Sequence, residues 1–362
     1  MNKRNSTLGI LLLMVLFGIG VNRWLALGQS RLSIHISTPD ALTQAVSLPG
    51  VMYLAQDGIL YRFENGRFSR VHLPTNGYWM QPSQDGSNII VVNRQLDYSD
   101  AYVANPVTGK LQYQITHNEG PVPVNPNNIQ ENYWIFWPHI FPGTQTLIAS
   151  TDYPKSGYKV DFSIWQDPLT HFTPQTSPAS VDQWTIPNNY TGGDTTPTPL
   201  ANGGILFSHY SLNDINGNEE ILSVIGYQPN APAQTTYLTQ PSQDCSQPNV
   251  SPDQSQVVMI CTDSSSNTAE LVNVETAPLL QGGAALGPMH TVVSQCLCAY
   301  PTWSPDSKSI VYLAPNGRTG PFQLWWVKKP QAVHVAAPTL VTDQQSLSVN
   351  FDATSPPLWL PS

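Results

Sequence analysis

Carboxylates and aromatic rings recur at comparable places along this 362-residue chain, each set lying just ahead of a short apolar run: Tyr78 and Trp79; Glu131, Tyr133 and Trp134; Asp194; Asp244; Tyr300; and Asp352. His139 stands inside one of those runs. Rings bury area at little conformational cost, and acids orient a cation or a hydroxyl. A shared rim of these residues therefore suits a sugar, a cationic peptide or a loop of a partner protein. Paired carboxylates among Glu131, Asp194, Asp244 and Asp352 meet the first requirement of glycoside cleavage if a cleft holds them about 5 to 10 Å apart. No further catalytic signature accompanies them: there is no G-x-S-x-G elbow, no P-loop, no G-x-G-x-x-G and no H-E-x-x-H. Ser156-Gly157 and Ser208-His209 read as loop and strand-end pairs. The sequence points away from an enzyme, and no cofactor is expected.

Two other groups of residues invite a metal and do not make the case for one. Asp214, Asn216, Asn218 and Glu220 alternate as in calcium loops but lack the twelve-residue frame with its late glutamate, so the segment reads as a strand-connecting loop in which Asn216-Gly217 supplies positive φ. Cys296-Leu297-Cys298 lacks the two-residue gap of structural zinc ligands, so no metal is assigned. With Cys245 and Cys261 these cysteines suggest local disulfides in an oxidising compartment, the alternative being buried thiols. Four cysteines allow three pairings; the hairpin register places Cys245 near Cys261.

Composition sets the frame that must position these residues. Only 11% of the chain is charged and the net charge is -9, which argues against a surface for nucleic acid. Thirty-three Pro and 24 Gly read as many short strands joined by turns, an all-β class. At the N-terminus Lys3 and Arg4 precede an uncharged apolar stretch from Ser6 to Val21, the order of an export signal. Ala26-Leu27-Gly28 resembles a cleavage site, so residues 1–28 are either a cleaved signal peptide or a retained hydrophobic helix anchoring the chain in the membrane. No cysteine follows to carry a lipid. The positive flank predicts that the rest of the chain is extracytoplasmic.

Internal repeats define the architecture. Pro248 to Ile260 and Pro301 to Leu313 align without a gap, both reading strand, S-P-D turn, strand. Pro138 to Ser150 keeps the spacing with Gly143 in place of the acid; Ser83 to Val92 keeps Asp85 and the apolar strand; Pro197 to Ser208 is one residue shorter in its turn. Asp85, Asp253 and Asp306 fit acceptors for turn amides. In the Pro197 copy, Ile205 to Ser208 and Ile221 to Tyr227 read as strands separated by a polar loop from Leu212 to Asn218. Pro357-Leu-Trp-Leu-Pro-Ser362 matches the start of a repeat and then stops, whereas Val51 to Phe63 and Gly66 to Leu73 read as the later strands of a repeat without its first. Joining the two ends gives one composite blade. Anchors at Met80, Pro138, Pro197, Pro248, Pro301 and Pro357, 51 to 59 residues apart, predict six blades closed by pairing of C-terminal and N-terminal strands.

The P-x-W-S-P-D-x-x-x-I-x-Y register of Pro301 to Tyr312, with its weaker copies, resembles the repeats of TolB-like six-bladed β-propellers. Such propellers also stand beside the peptidase domain in prolyl oligopeptidase and dipeptidyl peptidase IV relatives. The resemblance implies the fold and, since these propellers mostly bind proteins or peptides, a binding role; neither a hydrolase domain nor the N-terminal α/β domain of TolB is expected here. The sequence thus predicts a leader at 1–28, a linker at 29–49 and a propeller at 50–362. The propeller would act as an extracytoplasmic binding or scaffolding module for a protein, peptide or glycan at its channel mouth. A small glycosidase- or lyase-like propeller enzyme and a purely structural envelope domain are the alternatives.

Overall fold

The computed structural model describes residues 46–82, 87–96, 98–118, 133–155, 161–169, 182–186, 190–215, 218–262, 271–317, 320–332, 334–342 and 353–361. Their strands form six antiparallel sheets, the blades of an all-β propeller. Two short 3-10 turns, Pro241–Gln243 and Gln281–Gly283, are the helical elements among these residues. No described helix is long and apolar enough to cross a membrane; the stretch from Ser6 to Val21 lies outside the described residues.

Blade 1 is composite, as the sequence predicted. Its innermost strand, Leu358–Leu360, pairs with Val51–Gln56, and Ile59–Glu64 and Arg67–Val71 follow outward. The closing register sets Met52 opposite Trp359 and Val51 opposite Leu360. Trp359 Nε1 donates to the Pro49 carbonyl at 2.7 Å. The innermost strands of blades 2 to 6 are Tyr78–Pro82, Ile135–Ile140, Asp194–Pro199, Cys245–Val250 and Ala299–Trp303. Blade 3 shows three strands among the described residues; blade 5 carries an additional pairing of His290–Cys296 against Val272–Leu280.

Burial explains why the second strands read as unbroken apolar runs. Each is covered on both faces, by the preceding and by the following blade: Ile89 to Val92, Val257 to Met259 and Ile310 to Val311 are fully buried. The core is accordingly six apolar layers, one between each pair of neighbours around the ring, and the layer between blades 6 and 1 packs Leu313 and Trp326 against Met52 and Phe63.

The S-P-D turns behave as their chemistry dictates. Asp253 Oδ1 accepts from the Ser251 hydroxyl at 2.6 Å and from the Ser255 amide at 3.1 Å. Asp306 Oδ1 accepts from Ser304 at 2.6 Å and from the Lys308 amide at 3.1 Å. Both carboxyls lie below the usual carboxylate range. The Ser304 bond is the main cause for Asp306; for Asp253, partial desolvation acts upward and the bonds from Ser251 and Ser255 outweigh it. Asp85 lies outside the described residues.

Blade 4 departs from the expectation of a polar loop. Its second and third strands run on as one hairpin, Ile205–Ile215 and Asn218–Gln228, in unbroken register from Ile205↔Gln228 to Ile215↔Asn218. Leu212 faces Ile221 and Asp214 faces Glu219 across the strands. Between the last paired residues stand only Asn216 and Gly217, a pair favoured by two-residue hairpin loops. The polar residues misled because each alternates with an apolar or paired one, which is strand patterning on a solvated surface.

Both pairs of cysteines are disulfides: Cys245–Cys261 joins the first two strands of blade 5, and Cys296–Cys298 bridges a single residue at the entry to blade 6.

Candidate axial site

The inner strands share a distortion that decides what faces the axis. At Tyr78/Gln81, Phe136/His139, Thr195/Thr198, Ser246/Asn249 and Ala299/Thr302 the pairing register shifts, and the residue just before each anchor has positive φ: Trp79 (44°), Trp137 (45°), Thr196 (51°), Gln247 (56°) and Tyr300 (48°). Each is a β-bulge that re-aims its side chain and amide. Three of these amides are caught by the preceding blade: Trp79 N–H donates to Ser355 Oγ (2.8 Å), Gln247 N–H to Ser208 Oγ (2.9 Å) and Tyr300 N–H to Gln247 Oε1 (2.6 Å).

Residues on either side of the anchors line a cavity of about 260 Å³ to which all six blades contribute. Trp137, Thr196, Gln247, Tyr300 and Pro356 stand before the anchors; Gln81, His139, Thr198, Asn249, Thr302 and Leu358 stand after them. The wall is proline, aromatic ring, hydroxyl and amide, with no Asp, Glu, Lys or Arg among the described residues. Burial pushes the His139 imidazole down to about 4, so it is neutral at pH 7. Where the inner strands begin, Trp137 Nε1 donates to Tyr300 Oη at 3.3 Å. Blades 3 and 6 are opposite in a ring of six, so this contact crosses the axis. Trp137 packs against both the layer between blades 6 and 1 and the layer between blades 2 and 3.

The other residues singled out in the sequence have definite places. Trp79 is buried, donates its indole N–H to the Thr354 carbonyl (2.6 Å) and packs on Phe136 and Trp137. Tyr78 is half-buried beneath the Arg94 guanidinium, 5.1 Å from its ring centre. Trp134 stacks on Phe136 and gives its backbone N–H to Asp152, a carboxyl that burial pushes up despite the Lys155 ammonium beside it. Asp194 is buried, with Oδ1 2.7 Å from His209 Nδ1; His209 Nε2 in turn meets Tyr237 Oη at 3.2 Å. Asp244 accepts from the Ser223 amide (2.7 Å) and hydroxyl (2.8 Å) and, through Oδ2, from Thr262 (3.0 Å). Neither Asp194 nor Asp244 lines the cavity. Glu131 and Asp352 lie outside the described residues. No three potential metal ligands converge among the described residues.

Sequence reading missed Gln81, Thr196, Thr198, Gln247, Asn249 and Thr302. The signal is present as period-two alternation about each anchor, a strand's way of presenting residues to one face, but the loops one step upstream carry the more conspicuous rings and acids.

The molecule is thus a six-bladed β-propeller with an axial cavity. Its fold is similar to that of TolB from Acinetobacter baumannii, with a TM-score of 0.55 at 14% sequence identity over 87% of this chain and 67% of that one. It is also similar to the Agrobacterium tumefaciens protein described as a TolB, with a TM-score of 0.50 at 10% identity over 86% of this chain and 94% of that one. At these identities the likeness is one of fold. No protein-family model and no curated protein matches the sequence.

Proposed function

We propose that residues 50–362 form a non-catalytic binding module, exported by the segment at 1–28 across the linker at 29–49, that takes an uncharged segment of a protein, peptide or glycan into its axial cavity. The uncharged wall carries this reading. A formal charge entering the cavity would lose its hydration with no opposite charge among the described lining residues to meet it, a cost of several kcal/mol. Amide and hydroxyl groups of a ligand would instead find Gln81, Gln247, Asn249 and Thr302, and prolyl or aliphatic groups would find the rings. Two disulfides in one domain support an oxidising compartment, in keeping with Lys3 and Arg4 ahead of the apolar stretch.

The test is calorimetric titration of the propeller with four probes: a neutral Gln/Pro-rich octapeptide, its Lys- and Glu-substituted counterparts, and a neutral hexasaccharide. Binding of a neutral probe, at least tenfold weaker for the charged peptides and lost in Gln81→Lys, is expected. Preference for a charged probe, or equal binding by Gln81→Lys, refutes the cavity as the site.

A further inference from the structure

Blade 4 carries an arm that the axial cavity does not explain. The inner strand of this blade starts at Asp194, opposite His209, and residues 210–215 and 218–223 continue beyond that point. Six residues per strand, at about 3.3 Å each, give a two-stranded projection about 20 Å long. It rises from the face on which the inner strands begin.

The base of the arm is clamped on both sides. Alternation puts His209 and Tyr237 on one face, where His209 bonds Asp194 and stacks on Tyr237 with ring centres 5.0 Å apart. It puts Tyr210 and Ser223 on the other, where Ser223 is held by Asp244 and the Tyr210 phenol bonds with Ser246 and Thr195. An isolated two-stranded ribbon is marginal in water; these clamps hold this one in a defined direction.

Above the clamps the row that continues the Tyr210 and Ser223 face runs Leu212 opposite Ile221, then Asp214 opposite Glu219. Leu212 is 52% and Ile221 49% exposed, a cross-strand aliphatic pair set in solvent. Five of the nine exposed large hydrophobic side chains among the described residues belong to this blade or to the segment entering it: Ile186, Tyr190, Leu212, Ile221 and Tyr237. From 210 to 223 the arm carries Asp214, Glu219 and Glu220 and no lysine or arginine.

We propose that this arm is a docking element for a protein partner whose surface offers an apolar recess ringed by lysine and arginine. The aliphatic pair supplies contact area, and the carboxylates at the tip set orientation and encounter rate. Charge complementarity selects this occupant. A second copy of a chain with net charge -9 and an anionic membrane surface would both meet like charge.

The probe is a synthetic peptide alternating lysine and leucine, with a glutamate–leucine counterpart, measured by fluorescence anisotropy against the whole propeller. Leu212→Ser/Ile221→Ser is expected to weaken the Lys–Leu peptide at least tenfold without changing net charge, and Asp214→Lys/Glu219→Lys to weaken it by a similar factor and to flatten its salt dependence. Leu96→Ser, at an 87% exposed site on blade 2, is expected to leave binding unchanged, and unaltered melting of all three variants guards against misfolding. The proposal is overturned by no binding at millimolar peptide, by equal affinity of the Leu212/Ile221 variant, by self-association lost in that variant, or by binding to phosphatidylglycerol vesicles.

Discussion

His139 gives the axial cavity a measurable acid sensitivity. The perturbation is His139→Gln, which keeps a polar side chain and removes the titration. In the folded protein burial holds the imidazole at about 4 against an ordinary 6.5. The unfolded chain therefore takes up this proton first as pH falls, so the stability tied to the neutral ring is whole above about pH 6.5. It drains between 6.5 and 4 and is constant below. At about 1.4 kcal/mol per pH unit the full loss is about 3 kcal/mol, of which about 2 kcal/mol falls between pH 7.0 and pH 4.5. Among the described residues no carboxylate lines the cavity to rescue the cation. The turn carboxylates Asp253 and Asp306 act in a separate window, because their depressed values place their contribution above about pH 4 and its loss below. Urea unfolding of wild type and His139→Gln across this range is the assay. Wild type should lose about 2 kcal/mol more than the variant between the two pH values, and parallel curves would refute the claim that the ring is held neutral by burial.

Gly50 has φ +82°, and a Cβ there would strike the Leu360 carbonyl of the closing strand; at Gly203, φ +87°, a Cβ meets nothing. Gly50→Ala should therefore cost at least about 2 kcal/mol more than Gly203→Ala, which pays only for its backbone conformation, and should melt about 3 °C lower; equal melting points would argue that closure tolerates displacement. Cys245 and Cys261 are 16 residues apart, so replacing both by alanine should destabilise by about 3 kcal/mol in guanidinium unfolding, whereas the Cys296–Cys298 pair, which bridges one residue, should cost much less. The reverse order would count against a chain-entropy account.

The architecture was legible where local chemistry repeats. S-P-D turns, apolar second strands and the fragment Pro357 to Pro361 each carry their meaning within a few residues, and together they specify ring closure. The site was less legible because its determinants are distant partners. Asp194 and Asp244 look like free rim acids in sequence, yet the Ser223 and Thr262 groups that engage Asp244 are 21 and 18 residues away. Trp79 looks like a binding ring, yet its indole is held by Thr354, 275 residues on. The arm was hidden for another reason: Leu212, Asp214, Glu219 and Ile221 alternate as a strand should, but on a ribbon with no core behind it polarity imitates a loop.

The bulges explain why one distortion is repeated around the ring. Positive φ at a non-glycine residue costs on the order of 1 kcal/mol, and at β-branched Thr196 more. A regular inner strand would keep its amides within its own blade, leaving neighbouring blades joined by side-chain packing and by the fewer hydrogen bonds made elsewhere, such as Trp303 N–H to Asn249 Oδ1 and Ile135 N–H to Ser99 Oγ. In blades 2, 5 and 6 the bulge frees an amide and turns it toward the blade before, where Ser355, Ser208 and Gln247 accept it at 2.6 to 2.9 Å. The same turn swings Trp137 and Tyr300 across the axis and leaves the neutral residues after each anchor as the cavity wall. Only blade 1 lacks the feature: its residue before the anchor is Pro356, whose ring forbids positive φ and which has no amide hydrogen to donate. That blade is instead held by the Trp359 indole on Pro49 and by the closing strand. The cavity is therefore a by-product of how the blades are joined, which ties any ligand's binding to the stiffness of the ring.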